Sequence, residues 1–477
     1  MGKKYTIIIN NNKSRLIADI KLLNELRMET RIRAKGYFWS PAFRSRQWDG
    51  YINYITEKTG MFETGLLKEF VELLKSKGHK VRIEDRRETF TYRYDINNLG
   101  GLELFGHQKE ALDTVLNNKI EKVRFQRGIL DEATNAGKSL IAGGIFSSLA
   151  FKRNGLFLVH GKDLYDQALE DLRKLLPSEQ VGELNSKKFN WQRINVCMVQ
   201  TLANRLKKDP SLRAKLAKQD AVIVDEVDEV ANRKDCKEVL KACFNATIRI
   251  GLTGTAGLSK DKNRNKALIA WFGPILHSIR NIDLTKAGIS SEIEIRIFNG
   301  NKEVEIKGDW KGEYEDGVIR NKKRHKRVWK RVSKHISKKR LPILVMFKNH
   351  KHGERLLKSC PKEILEKYSV KIVHHKTPDR KELIQKFKDG NIDILIASMI
   401  IRRGKNLPLT RVLINAAGGD SHASILQLLG RILRKDKTTK KKYMEDFWDK
   451  GKYLRRHSYH RVKYYKKEGY VVKELYK

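Results

Sequence analysis

From about residue 100 onward, short apolar runs alternate with longer amphipathic stretches. The runs are GLFLVH (155–160), INVCMVQ (194–200), AVIVDE (221–226) and IRIGLTGT (248–255), then LPILVMF (341–347), VKIVHH (370–375), IDILIAS (392–398) and VLINAAG (412–418). They are apolar on both faces and rich in β-branched residues, as strands of a parallel sheet covered on both sides must be. Helical periods lie between them, for example over 163–176 and 378–388. Repeated βα units of this kind predict an α/β protein built on parallel sheets. The series breaks between about residues 281 and 340, where SEIEIRIF is followed by the polar segment NGNKEVEIKGDWKGEYEDG. Residues 1–98 do not share the pattern; they are aromatic and basic. The expected organisation is therefore a small α+β domain over 1–98, a first lobe over 99–290, and a second lobe over 291–477 that ends in a basic tail.

Charge sharpens this picture. Lys plus Arg number 100 against 56 Asp plus Glu, a net +44. Such an excess points to a polyanion partner, most simply nucleic acid, because each neutralised phosphate releases counterions. A lysine-rich, AT-biased genome would also raise surface charge. The four cysteines, Cys197, Cys236, Cys243 and Cys360, form no C-x-x-C pair, so neither a zinc site nor a disulfide frame is expected and a reducing cytosol is. No apolar run approaches the ~20 residues of a membrane span. The opening MGKKYTIIINNNKS is too short in its apolar part for a signal peptide, and its loose acylation pattern through Gly2 and Thr6 runs into a strand. The segment 318–340 is dense in Lys and Arg and has no acid, while Val328, Val332 and Ile336 recur every four residues. One face of that helix is expected to be buried; the rest is either solvated or tracks DNA. The run RKDKTTKKKY (434–443) carries the same two readings.

The candidate chemistry begins at ILDEATNAGKSLIAGG (129–144). Gly137, Lys138 and Ser139 have the spacing of a phosphate-binding loop, but Glu132 stands where the first glycine is usual. The loop follows an apolar run and opens a helix. In that context the backbone of Thr134, Asn135, Ala136 and Gly137 and the helix N-terminus can hold phosphate oxygens. Lys138 would reach the outer phosphates, and Ser139 would ligate Mg²⁺. Gly137 matters most, since the backbone must approach the phosphate there. Farther on, AVIVDEVDEV puts Asp225 and Glu226 at the end of an apolar strand, where ligands of parallel sheets bind. Asp225 can hold Mg²⁺ and Glu226 can polarise an attacking water; a solvated acidic turn is the other reading. SILQLLGRILR (424–434) supplies Gln427, Arg431 and Arg434. The two arginines are expected on one helical face, able to reach a transferred phosphoryl group. An ordinary basic helix has the same pattern.

These three elements, in this order, resemble the superfamily-two helicases. Smaller motifs fall between them in sequence. FGHQKEAL (105–112) offers Gln108, like the adenine-reading glutamine upstream of the loop. VHGKDLYDQ (159–167) resembles motif Ia, VQTL (199–202) motif Ib, LTGTA (252–256) motif III, LVMFKNHKHGERLL (344–357) motif IV, and ILIASMIIRRGKNLP (394–408) motif V. The resemblance covers residues 101–435. It implies two RecA-like lobes that close on ATP and Mg²⁺. Lys138, Asp225, Glu226, Gln427, Arg431 and Arg434 would then be catalytic, and Gln108 and Gly404 would contact the nucleotide. Ser139 and Asp225 would hold the metal, while Thr253 and Thr255 couple hydrolysis to motion. Nucleic-acid contacts would come from His160, Lys162, Gln200, Thr201, Lys348, Asn349 and Ser398. In this superfamily the first loop position is commonly alanine, so its glycine is dispensable. Glu132, Asn135 and the pair Lys405 and Asn406 depart from the frequent pattern.

The first domain narrows the reading. AKGYFWSPAFRSRQWDGYINYI (34–55) interleaves Tyr37, Phe38, Trp39, Phe43 and Trp48 with Lys35, Arg44 and Arg46. Aromatics can stack on bases while Arg and Lys hold phosphates, with Tyr37, Trp39, Arg44 and Arg46 as candidates; alternatively the aromatics are the small domain's core. Trp48, Asp49 and Gly50 read as a structural turn. This segment, the following GLLKEFVELLKSKGH and the ending FWDKGKYLRRHSYHRVKYYKKEGY (447–470) resemble the UvsW-type phage helicases and their T5-like branch-migration relatives. The resemblance implies an ATP-dependent DNA helicase that unwinds and branch-migrates forks, Holliday junctions and R-loops in phage recombination, repair and replication. The expected partner is branched DNA, with an RNA–DNA hybrid as a further substrate, engaged by a monomer in the host cytoplasm and away from membranes. An RNA helicase and a non-hydrolysing nucleic-acid clamp are the competing readings.

Overall fold

A computed structural model describes residues 2–88, 99–149, 152–230, 233–254, 261–300, 309–402, 407, 409–420, 422–435 and 441–476. The chain forms two compact units, Met1–Ile279 and Arg280–Lys477.

Among the described residues the first unit holds two large sheets and two short two-stranded ones, Ile32–Arg33 with Tyr51–Ile52 and Lys119–Ile120 with Val123–Arg124. The N-terminal one is four-stranded, in the order Met61–Glu63, Lys13–Ile17, Lys4–Ile9, Lys80–Asp85. Its hydrophobic core, with Ile7, Ile9, Leu26, Phe62 and Phe70, also takes in Ile120, Phe125 and Ala270 from the larger sheet's surroundings. The N-terminal segment thus shares its core with the lobe. The approach is close: a Cβ on Gly65 would lie 2.1 Å from the Ile269 carbonyl oxygen, so only glycine fits. Polar contacts tie the same joint. Arg127 donates to the carbonyls of Asn11 and Trp271, and Arg249 donates to Asn12 Oδ1 and the Cys243 carbonyl. Lys266 Nζ reaches Thr30 O at 2.8 Å and Glu69 Oε1 at 2.6 Å.

The larger sheet has eight strands in the order Phe189–Asn190, Val181–Leu184, Ile194–Met198, Gly155–Val159, Ala221–Val224, Ile248–Thr253, Arg127–Glu132, Ile275–Ile279. Every pairing is parallel except that of Val181–Leu184 with Phe189–Asn190. Its strands face apolar cores on both sides. Phe157, Val159 and Ile223 enter one core, while Leu156, Leu158, Val222 and Val224 enter the other. This explains why the runs are apolar at consecutive positions.

The second unit carries a seven-stranded, all-parallel sheet in the order Val370–Val373, Ile394–Ser398, Ile343–Phe347, Val412–Asn415, Lys441–Trp448, Glu292–Asn299, Val471–Glu474. The break at Ile279 comes earlier than the expected residue 290 because the helix Asn281–Lys286 belongs to the second unit. There Arg280 Nη1 donates to Lys467 O at 2.6 Å. The expected basic C-terminal tail is folded: Lys441–Trp448 is an interior strand, Lys452–Lys467 a helix, and Val471–Glu474 an edge strand. Lys442 is buried with Nζ on the Ile432 carbonyl at 2.6 Å; Glu445 meets Arg331 and His335, and Asp446 meets Arg461 and Tyr465. The basic helix Lys322–Ser337 buries Val328 and Val332 as expected, and with them Arg324, which pairs with Asp449 at 2.9 Å. Among the described residues no helix is long and apolar enough to cross a membrane.

Asn12→Ala is expected to destabilise the first unit by about 2–4 kcal/mol, because Arg249 stays buried and loses an acceptor. Thermal and denaturant unfolding would check this; an unchanged midpoint would mean that the joint does not rest on that contact.

Candidate functional site

The strand Arg127–Glu132 ends in the turn 133–137, and the helix Lys138–Ser148 starts at once. Gly137 caps that helix at φ +83°, and a Cβ there would lie 2.3 Å from Gln108 Nε2. Glycine is needed for both reasons. Gln108, expected to read adenine, is 2% exposed. Its Nε2 donates to Ala136 O at 2.8 Å and its Oε1 accepts from Phe105 N–H at 3.0 Å, so it props the loop from behind. His107 Nε2 meets the same Ala136 carbonyl at 2.9 Å. Thr134 and Asn135 are half-buried within the turn, and Ala136 is buried.

Glu132 is fully buried, and its Oε1 meets His277 Nδ1 at 2.5 Å on the adjacent strand Ile275–Ile279. The hydrogen bond to Glu132 raises the His277 imidazole above its ordinary value, against the opposing effect of burial. The unusual first residue of the loop thus anchors the loop's root to the next strand.

The loop lysine faces the acidic strand end. Lys138 Nζ lies 3.5 Å from Glu226 Oε1, and each side chain is only 12% exposed. Burial alone would lower the Lys138 ammonium, but Glu226, Asp225 and Asp228 together hold it above its ordinary value. The Glu226 carboxyl is pushed up to about 7: burial is the main cause, Lys138 opposes it, and the neighbouring Asp225, Asp228 and Glu229 add to it. A carboxylate poised near neutrality suits a general base. Glu226 also has φ +47°, a left-handed backbone that costs a non-glycine residue about 1 kcal/mol. The turn is held by Asp225, whose N–H donates to Leu158 O at 2.8 Å and whose Oδ1 accepts from Glu226 N–H at 3.0 Å.

Two partners were not read from the sequence. Asp228 accepts from Thr253 Oγ1 at 2.8 Å and lies 3.6 Å from Arg264 Nη2, linking the acidic turn to the expected coupling residue. Its place in DEVDEV was the available signal. Asp171 accepts from Ser139 Oγ at 2.8 Å. With its proton spent on Asp171, the Ser139 oxygen keeps lone pairs for a cation. Ser139 and Asp225 are hard oxygen donors that fit Mg²⁺. Among the described residues no group of three or more His, Cys, Asp or Glu could hold an ion unaided, and Mg²⁺ is commonly held by one or two protein oxygens plus substrate phosphates.

The remaining candidates are scattered over both units. In the first, His160 lies 3.3 Å from Arg233 Nη1, and Lys162 pairs with Asp166 at 2.5 Å. Gln200 and Thr201 open the helix Val199–Lys208. In the second, Asn349 caps the helix His350–Lys358, Lys348 is exposed and Ser398 buried. Gln427 and Arg431 lie on the helix His422–Ile432. Arg434 does not share their helical face: the helix ends at Ile432, and Arg434 bridges antiparallel to Ser290. Lys442 Nζ draws the chain away there by taking the carbonyls of both Ile432 and Arg434. Gly404 and Thr255, with Lys405 and Asn406, lie outside the described residues. In the N-terminal segment neither 37–39 nor 41–44 buries a residue, so these aromatics are not core. Trp39 is 69% exposed with Arg44 at 5.6 Å over its ring, and Arg33 lies 4.4 Å over Tyr37. Arg46 is exposed at φ +59°, and Trp48 Nε1 closes the following turn on Tyr51 O at 2.8 Å.

Comparison with known proteins sets the class. Residues 101–257 match the family described as type III restriction enzyme, res subunit, and residues 327–436 match the helicase conserved C-terminal domain. With these two domains in this order on two parallel-sheet lobes, the chain is an ATP-dependent helicase. It is similar, at 24% identity across 97% of both chains, to the ATP-dependent DNA helicase UvsW of Enterobacteria phage T4. Over 45% of its length it is 26% identical to competence protein ComFA of Streptococcus pneumoniae, spanning 46% of that protein. Its fold is shared with S. cerevisiae Dbp5 bound to RNA and ADP BeF3, with TM-score 0.52 and 12% identity over 78% of this chain and 90% of that one.

Glu226→Gln is expected to lower steady-state hydrolysis at least a hundredfold while ATP still binds. Binding measured by a fluorescent nucleotide analogue, beside phosphate release, would check this. With Glu226 as the candidate base, active only when ionised, the wild-type rate should fall below about pH 7, the value to which burial and its acidic neighbours raise it. Asp228→Asn removes one of those neighbours, so the acid limb should move to lower pH; a limb that stays in place would deny the electrostatic coupling.

Proposed function

We propose that this chain is an ATP-dependent DNA helicase or translocase that unwinds and branch-migrates branched DNA. The observation that carries the reading is the Lys138–Glu226 pair at the carboxyl ends of the eight-stranded sheet, with Asp228, which raises Glu226, accepting from Thr253. A phosphate-binding lysine, a base and a residue of the coupling motif there form one connected array. Lys138 would neutralise the outer phosphates, and Glu226 would take the proton from the attacking water. Ser139 and Asp225 would hold Mg²⁺, which supplies charge neutralisation at the phosphates when bound. Arg431 and Arg434 of the second unit would contribute positive charge to the transferred phosphoryl group, and Gln427 a neutral amide hydrogen bond.

DNA as the polyanion is supported by the net +44 and by the exposed Trp39 with Arg44 beside it. It is also supported by the full-length similarity to a DNA helicase. Forks, four-way junctions and R-loops are the proposed substrates, engaged by a monomer.

The test is steady-state phosphate release by wild type and Lys138→Ala, alone and with single-stranded DNA, duplex, four-way junction and RNA. Strong stimulation by DNA, greatest with the junction and lost in the variant, is the expected result. Stimulation by RNA alone would move the enzyme to RNA metabolism. Nucleic-acid binding without turnover would make it a clamp.

A further inference from the structure

At the carboxyl ends of three adjacent strands of the second unit, Ile343–Phe347, Val370–Val373 and Ile394–Ser398, a cavity of about 580 Å³ opens. Carboxyl ends of parallel strands are where open α/β sheets bind ligands. Lys348 and the His374–His375 pair come from those ends, and Trp310 and Tyr314 come from the helix Trp310–Tyr314. The two rings lie 6.0 Å apart at 50°, and Lys348 Nζ is 5.5 Å from one ring centre and 5.7 Å from the other.

The two aromatics are held differently. Tyr314 is buried and fixed by its hydroxyl on the Ala417 carbonyl at 2.5 Å. Trp310 rests against it and keeps 40% of its surface exposed. Tyr314 thus acts as the backing that sets the Trp310 ring. The charge beside the ring is not spent: among the described residues no carboxylate forms an ion pair with Lys348, and the Glu315 carboxylate at the rim is taken by Arg320 at 2.9 Å. The histidines add polar edges without acidity. His350 lies 5.8 Å from His375 and 6.4 Å from His374, ring to ring.

A half-exposed indole with an ammonium over its ring, an ammonium that no carboxylate among the described residues pairs, and a rim of imidazoles match one chemical pattern: a base on the π-face with its phosphate drawn to the cation. We propose that this cavity takes a nucleobase of a single strand, stacked on Trp310, with the flanking phosphate on Lys348. The inference rests on the helicase reading and adds to it a base-stacking site made by residues 310–314, outside the motifs. Such stacking tolerates any base, because every base has a π-face. It would act as a station that holds one nucleotide of the tracked strand while the phosphates beside it are released.

The experiment is anisotropy titration of a fluorescein-labelled oligothymidylate with the full chain at several salt concentrations, using wild type, Trp310→Ala, Trp310→Phe and Lys348→Ala. A second oligonucleotide carries abasic sites throughout. Trp310→Ala is expected to weaken oligothymidylate binding about tenfold, with an unchanged salt slope. Trp310→Phe, which keeps a π-face, should recover most of the loss. Lys348→Ala should reduce the salt slope by about 1. On the abasic strand, wild type and Trp310→Ala should bind alike. Equal binding of oligothymidylate by wild type and Trp310→Ala would overturn the stacking site while leaving the helicase reading standing. An equal loss on both strands would overturn it too, since the loss would then not depend on a base. Absence of any strand binding by wild type would overturn both.

Discussion

Two guanidinium groups, Arg127 and Arg249, are buried in the first unit, and among the described residues their partners are carbonyls and an amide, not carboxylates. Burial holds both below the ordinary arginine value, Arg249 at about 10. A buried cation without a counter-charge needs acceptors, and among the described residues Arg127 Nε and Arg249 Nη1 find none, so the acceptors supplied by the turn of Asn11 and Asn12 matter all the more. The two arginines are direct partners in the sheet, Arg249 opposite Arg127. Their strands begin at this clamp and end at Thr253 and Glu132, beside the proposed coupling residue and the proposed phosphate-binding loop. The N-terminal sheet is thereby fastened to two strands that carry the candidate site.

At the other end of those strands, the array is set by opposite demands. Lys138 needs anionic neighbours to remain charged out of water, and burial raises the Glu226 carboxyl toward the basicity that its proposed role requires. The 3.5 Å pair serves both, and Asp228 raises the basicity of Glu226 while accepting from Thr253. The strained backbone of Glu226 is a local cost that the surrounding ladder and the Asp225 carboxylate offset. Gln108, Asp171 and His277 touch the loop or its root rather than the acidic turn, and each fixes a different point of it.

The second unit solves a different problem. Its interior strand Lys441–Trp448 carries Lys442, Glu445 and Asp446 where parallel strands are usually apolar. Each charge is matched by a partner from a neighbouring helix or helix end: Arg331 and His335, Arg461 and Tyr465, or the Ile432 carbonyl. The basic helix Lys322–Ser337 is in part the counter-charge of that strand, and such pairs cancel within the chain, leaving the net +44 unspent. The exposed remainder, with Trp310 and Lys348 at the sheet's carboxyl edge, is what is left for a polyanion.

Local patterns were enough to read both parallel sheets, the loop at Gly137 and Lys138, and the acidic strand end. Consecutive apolar positions, a tight glycine and a carboxylate after a strand act over a few residues, so the amino-acid order determined them. The sequence also carried the aromatic and arginine surface of the first domain, but not whether those rings were core. Tertiary structure alone decided the partners: Gln108 meets Ala136 across 28 residues, Thr253 meets Asp228 across 25, and His277 meets Glu132 across 145. It also decided that the first domain shares a core with the lobe, through an Arg249–Asn12 contact spanning 237 residues. It turned the basic run near residue 441 into a buried strand, and it took Arg434 off its helix. Each of these follows from satisfying a buried donor, acceptor or charge, and such a partner is chosen by proximity in space, which no periodicity along the chain records.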